Sequence, residues 1–117
     1  MRNIGYLLLL LFIQISCTQT KSMSITELTS EDVENAVLID VRTPEEYAEG
    51  HLDNAVNINW YDEDFINQFE TIEKDETIYV YCKKGGRSSS AAELLTSTGY
   101  TNVIDLLGGY DALEGKN

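Results

Sequence analysis

Thr77-Ile78-Tyr79-Val80-Tyr81-Cys82-Lys83-Lys84-Gly85-Gly86-Arg87-Ser88 is the stretch that decides the fold. Its first five residues are β-branched or aromatic, the composition of a strand. Cys82 to Arg87 is a Gly-containing loop. From Ser88 a helix runs to about Thr98, with Ala91, Leu94 and Leu95 as its apolar face and Gly99 as its stop. The order is therefore strand, cysteine, short loop, helix.

The same alternation continues on both sides. Upstream, Thr29 or Ser30 caps a short helix through Asn35, and Val37-Leu38-Ile39 runs into Asp40 as a buried strand. Thr43-Pro44-Glu45-Glu46 opens a second helix: Thr43 is the N-cap, Pro44 takes the first helical position and Glu46 completes a capping box, with Gly50 as the end. Ala55 to Ile58 is another short strand, and Asp62 to Glu70 carries Phe65, Ile66 and Phe69 at helical spacing. Downstream, Val103-Ile104-Asp105 is the last strand, and Gly108-Gly109 turns into a final helical turn over Tyr110 to Leu113. Apolar strands alternating with helices predict an α/β fold, a parallel sheet with helices on both faces. In such sheets ligands sit beyond the carboxyl ends of the strands, where the Cys82 loop begins.

The chain has 117 residues and a net charge of −12, with 43% hydrophobic and 24% charged residues. That suits one globular domain. The acidic balance argues against nucleic acid and against adsorption to anionic lipid. No zinc-ligand spacing, P-loop or dinucleotide fingerprint occurs, so no metal or cofactor is expected.

Residues 1–16 predict an export signal: Arg2 is the positive start, and Ile4 to Ile15 is an apolar core too short to span a bilayer. Ser16-Cys17 resembles the lipobox of bacterial lipoproteins, which would make Cys17 a lipidated N-terminus, although Gln14 stands where that pattern usually has Leu. Ordinary secretory cleavage and an uncleaved anchor are the alternatives. Residues 17–24 read as a polar tether and 25–117 as the domain. The chain is then expected to be exported to a periplasm, touching membrane only through an N-terminal lipid or the signal. A lone Cys82 thiol in an oxidising compartment would serve no disulfide, whereas a Cys17–Cys82 bridge would tie the loop to a flexible segment.

The chemistry concentrates at Cys82. Gly85 and Gly86 let the backbone curl so that successive N–H groups can form an anion-binding nest. The helix start at Ser88 adds unpaired N–H groups and a positive dipole end. Lys83, Lys84 and Arg87 supply three of the eight basic side chains within six residues. All of these favour thiolate over thiol, the form that attacks sulfur or phosphorus centres. A buried structural Cys is the plain alternative. Asp40 and Arg42 lie near the same edge, as site residues or as a hydrogen-bond acceptor and an ion-pair partner. His51 reads as structural, Asp62 to Asp64 as a solvated helix start, and Trp60 and Tyr61 as pocket wall or packing.

Cys82-Lys83-Lys84-Gly85-Gly86-Arg87-Ser88 resembles the active-site loop of the rhodanese superfamily, Cys-x-x-Gly-x-Arg-Ser. Leu38-Ile39-Asp40-Val41-Arg42, Glu45-Glu46-Tyr47, Gly50-His51-Leu52 and Ala55-Val56-Asn57-Ile58 are similar to that family's first signature. Gly108-Gly109-Tyr110, Ala112 and Gly115 are similar to its closing segment, with Leu113 where many members have Trp. The resemblance covers roughly residues 25–115 and implies a five-stranded parallel sheet. It makes Cys82 a nucleophile that becomes a persulfide, cradled by the N–H groups of Lys83 to Ser88, with Arg87 binding the anionic donor or bracing the loop. It implies a sulfurtransferase acting between a small anionic donor such as thiosulfate and a thiol or cyanide-like acceptor, with a thioredoxin-like redox protein as a further partner. A non-catalytic persulfide carrier is the alternative. The four residues between Cys82 and Arg87 disfavour phosphatase or arsenate reductase chemistry, because relatives acting on those larger anions have a loop one residue longer.

Overall fold

The structure, a computed structural model, describes residues 20–115; the expected signal at 1–16 and Cys17 lie outside them. Five parallel strands form one sheet: β1 (Lys21–Ser24), β2 (Val37–Asp40), β3 (Val56–Asn57), β4 (Ile78–Tyr81) and β5 (Val103–Leu107), in the order β1-β5-β4-β2-β3. Among the described residues, α1 (Ser30–Glu34) links β1 to β2, α2 (Pro44–Glu49) links β2 to β3, α3 (Gly86–Ser97) links β4 to β5, and α4 (Gly109–Leu113) follows β5.

Side chains alternate across the sheet, and both faces are covered. On one face Ile39, Ile78, Val80 and Val103 pack against Ala91, Ala92 and Leu95 of α3, together with Phe65, Phe69 and Tyr100. On the other face Leu38, Tyr79, Tyr81 and Leu106 meet Val33 of α1, Tyr47 of α2, and Tyr110 and Ala112 of α4. β4 is buried along its whole length, which fixes the strand end that carries Cys82. Each fully buried aliphatic side chain here contributes roughly 1.5–3 kcal/mol of transfer free energy.

The expected caps form. Thr29 and Thr43 each close a capping box, with Asp32 and Glu46 respectively, and Pro44 opens α2. Three expectations change. Lys21–Ser24 belongs not to a tether but to edge strand β1, paired along β5 from Lys21 opposite Ile104 to Ser24 opposite Leu107. Its only apolar side chain is Met23, so the strand carries no alternation to read; the β5 ladder supplies its order. The helix expected over 62–70 shrinks to a 3₁₀ turn, Ile66–Phe69. There the rings of Trp60, Phe65, Phe69 and Tyr100 interlock in succession, and the Tyr100 hydroxyl donates to the Phe69 carbonyl at 2.7 Å. Finally, α3 begins at Gly86, two residues before Ser88, because the Gly85 carbonyl already accepts the Ser89 N–H at 3.1 Å.

If β1 is part of the domain, a chain starting at residue 25 should unfold at lower denaturant than one starting at 20. Losing the β5 ladder and the Met23 contact should cost about 2 kcal/mol or more, read from the two unfolding midpoints.

Candidate active site

Cys82 is the first residue past β4 and is a free thiol, 1% exposed. Its sulfur lies on the floor of the loop. The Gly85 N–H donates to it at 3.1 Å and the Ser88 N–H at 3.4 Å. To bring these groups back onto a side chain three residues earlier, Gly85 takes φ +128°, a backbone region that side chains disfavour. Gly86 is already helical and a Cβ there would meet nothing within 4 Å, so only the first of the paired glycines is conformationally required. The N–H groups of Gly86 and Arg87 open α3 and have no acceptor within it. Two backbone donors thus converge on the Cys82 sulfur at the N-terminal end of α3.

The loop is pinned from behind by α4. The Tyr110 N–H donates to the Cys82 carbonyl at 2.8 Å, and the Asp111 N–H to that of Lys83 at 3.1 Å. This close approach requires Gly109: its φ is +66°, and a Cβ there would run into the carbonyls of Lys83 and Cys82.

All three expected cations are present, and each is paired. Arg87 forms a two-pronged contact with Glu46 of α2, Nη1 to Oε1 at 2.7 Å and Nη2 to Oε2 at 3.1 Å, and its guanidinium lies 5.8 Å from the Tyr61 ring centre. Arg87 therefore braces the loop against α2. The same contact holds the Glu46 carboxyl at about 2, helped by the Thr43 N–H. Lys84 and Lys83 both reach Asp111, at 2.9 Å each, and hold its carboxyl at about 2. The local positive potential is accordingly weaker than a count of basic residues suggests. Lys84 nevertheless stays 73% exposed.

Asp40 and Arg42 close on each other. Arg42 Nε donates to both Asp40 carboxylate oxygens, at 3.0 and 3.1 Å, and Nη2 donates to Oδ2 at 2.8 Å and to the Gly50 carbonyl at 2.6 Å. The guanidinium lies against the Tyr110 ring, 4.5 Å from its centre. The pair ties the end of β2 to the end of α2, and neither side chain bonds the Cys82 sulfur. A polar cleft of about 240 Å³, bounded by Arg42, Glu46, Lys83 and Tyr110, lies beside the loop. His51 is exposed, its ring stacked on Tyr47 at 3.6 Å, with Nδ1 2.8 Å from the Tyr47 carbonyl.

Three carboxylates at the site went unmarked in the sequence: Glu46 as the partner of Arg87, Asp111 as the partner of the lysines, and Asp105 behind Ser88. Only a demand that clustered cations find counter-charges points towards the first two. Asp105 is 6% exposed and accepts the Ser88 hydroxyl at 2.7 Å; burial raises its carboxyl above the ordinary range, against the pull of that hydrogen bond.

The Glu46–Arg87 contact predicts an acid-labile contribution to stability. Glu46 titrates lower in the folded chain than in the unfolded one. Its stabilisation is present above the ordinary value of 4.5 and is lost as pH falls towards about 2. Glu46→Gln should therefore cost about 1–2 kcal/mol near neutrality after allowance for solvent screening, and the difference from the parent should close near pH 2. Denaturant titrations at several pH values measure it.

With this geometry in hand, comparisons with known proteins are informative. The family model for the rhodanese-like domain matches residues 25–116. The adenylyltransferase and sulfurtransferase UBA4 of Candida albicans is 42% identical over 81 residues; the match takes in 64% of this chain but only 18% of that protein's length. The thiosulfate sulfurtransferase GlpE of Pseudomonas entomophila is 32% identical over 95 residues, covering 80% of this chain and 84% of that protein. Among solved structures, the human single-domain sulfurtransferase TSTD1 superposes with a TM-score of 0.68 at 27% identity, over 85% of this chain and 99% of its own. The five-stranded parallel sheet, the cysteine loop at the end of β4 and a match that takes in every described residue after β1 lead to one conclusion: the chain belongs to the rhodanese-like domain family.

Proposed function

We propose that this chain is a sulfurtransferase that takes sulfane sulfur onto Cys82 as a persulfide and passes it to a thiophilic acceptor. The observation that carries the reading is the convergence of two backbone N–H groups on a single buried sulfur at the N-terminal end of α3. Fixed donors of this kind favour a thiolate before a donor arrives and an anionic terminal sulfur afterwards.

With thiosulfate, the Cys82 thiolate attacks the outer sulfur. The new bond is Cys82 sulfur to sulfane sulfur; the donor's sulfur–sulfur bond breaks, and sulfite departs with its electron pair. Cyanide or a thiolate then attacks the outer sulfur, the persulfide bond breaks, and the Cys82 thiolate returns. No external oxidant or reductant enters. Lys84 and Lys83 meet the anionic donor by exchanging Asp111 for it, and Arg87 keeps the loop closed against α2. A thioredoxin-like protein is a fitting thiol acceptor. We further place the domain outside the cytoplasm, on a lipid at Cys17, on the strength of the apolar N-terminal run.

The rival reading is a module that holds persulfide without turnover. The 1% exposure of Cys82 favours it, since an acceptor must reach the floor of the loop. Steady-state assay with thiosulfate and cyanide separates the two. The account expects thiocyanate formation that saturates in thiosulfate, falls to the uncatalysed rate in Cys82→Ser, and has no counterpart with aryl phosphate esters. Wild-type protein that forms no thiocyanate contradicts enzymatic turnover.

A further inference from the structure

We infer that Asp105 shares a single proton with Cys82 through the Ser88 hydroxyl, and so acts as the positioning residue that sets when the sulfur is ionised. The inference rests on the reading of Cys82 as the reactive thiol, and it concerns the proton rather than the transferred sulfur.

Three atoms make the path. Cys82 Sγ lies 3.6 Å from Ser88 Oγ, in donor geometry for a thiol, and Ser88 Oγ lies 2.7 Å from Asp105 Oδ1. Asp105 sits on β5 and faces α3, on the same side of the sheet as Val103. Ser88 is wholly buried and Asp105 nearly so, so water does not compete for either group. Ser88 has one hydroxyl proton. Its alternatives are the Asp105 carboxylate at 2.7 Å and the Gly85 carbonyl at 3.2 Å, and a charged acceptor at the shorter distance wins.

With Asp105 ionised, Ser88 therefore turns lone pairs towards the sulfur. That arrangement suits a thiol donating to Oγ and disfavours a thiolate, which would face both the lone pairs and a buried negative charge. If the thiol proton moves to Ser88 and the Ser88 proton to Asp105, the sulfur is left negative, the carboxyl neutral, and total charge is unchanged. Neutral Asp105 then donates to Ser88 Oγ, and the Ser88 hydroxyl donates to the thiolate. The same polarity serves turnover: when an acceptor removes the outer sulfur, the departing Cys82 electron pair meets a hydroxyl proton backed by a carboxylic acid.

The other charges around this path are already paired. Arg87 of α3 is held by Glu46 of α2, Lys83 and Lys84 of the loop by Asp111 of α4, and Asp40 and Arg42 of β2 and its extension by each other. On the neighbouring strands the residues opposite Asp105 are the uncharged Ser22 of β1 and Val80 of β4. Among the described residues, Ser88 is the polar side chain that bonds Asp105, and it stands between that carboxyl and the Cys82 sulfur.

The test is the pH profile of iodoacetamide alkylation of Cys82 in wild type, Asp105→Asn, Ser88→Ala and the double variant. Asp105→Asn should lower the midpoint by about one pH unit, which makes alkylation about tenfold faster below the wild-type midpoint. In the Ser88→Ala background the same substitution should change the rate by less than about threefold, since the hydroxyl link is gone. Superimposable wild-type and Asp105→Asn profiles overturn the inference. So does a midpoint that rises, or an Asp105 effect of full size without Ser88. If a variant does not fold, carboxyl carbon NMR of wild-type Asp105 decides: its titration must shift when Cys82 is alkylated, and an unmoved titration overturns the proposal. Thiocyanate turnover in the same preparations keeps the two readings apart. A wild type that turns over while its profile matches Asp105→Asn refutes only the proton sharing; a wild type without turnover, whose profile still responds to Asp105, refutes only the sulfur transfer.

Discussion

Two backbone N–H groups, those of Gly85 and Ser88, meet on one sulfur atom, and the rest of the structure is arranged to hold them there. Backbone donors suit the task because they cannot rotate away or lose their protons. They must be aimed by the chain itself, and that requires three supports. β4 fixes where the loop leaves the sheet, Gly85 reverses the chain, and α4 takes the outward carbonyls of Cys82 and Lys83 so that the inward N–H groups keep their direction. Gly109 permits the last of these by letting backbone touch backbone. A side chain at either glycine would act on the sulfur through geometry alone.

The charges work differently from what their clustering suggests. A chain of net charge −12 places three cations beside a buried free thiol, then assigns each a carboxylate from a different element: Glu46 from α2, and Asp111 from α4 for both lysines. The pairs stitch the loop to the two helices on its rim. They also leave a graded response. Arg87 is bidentate and largely shielded, so it stays, whereas Lys84 is mostly exposed and can trade its partner for an anionic ligand. Firm bracing and an exchangeable surface cation are thereby divided among neighbouring residues. The buried Asp105 stands apart from this scheme, because its side-chain partner among the described residues is a neutral hydroxyl.

Much of this was legible in the chain. Ile78–Tyr81 and residues 37–39 are continuous apolar or aromatic runs because both faces of a parallel sheet are covered, and the Thr43-Pro44-Glu45-Glu46 capping box is a local signal that tertiary contacts leave intact. The cysteine, its loop and its place at a strand end followed from the same local pattern. What could not be read depends on partners distant along the chain. β1 has four residues and one apolar side chain, and is a strand only because β5 offers it a ladder. The 62–70 segment carries helical spacing, yet it bends into a shorter turn to interlock its rings. The pairings of Glu46, Asp105 and Asp111 bear no local mark, since 41 residues separate the first from Arg87, 17 separate the second from Ser88, and 28 and 27 separate the third from its two lysines.

The proposed sulfur transfer requires the backbone donors at Cys82 to accommodate one more sulfur atom on that thiol. Intact mass under non-reducing conditions, before and after thiosulfate, tests it most directly. The account predicts a gain of one sulfur mass, located at Cys82 and removed by cyanide or excess thiol. An unchanged mass with thiosulfate and with other sulfane donors, in protein whose Cys82 still alkylates readily, would contradict it.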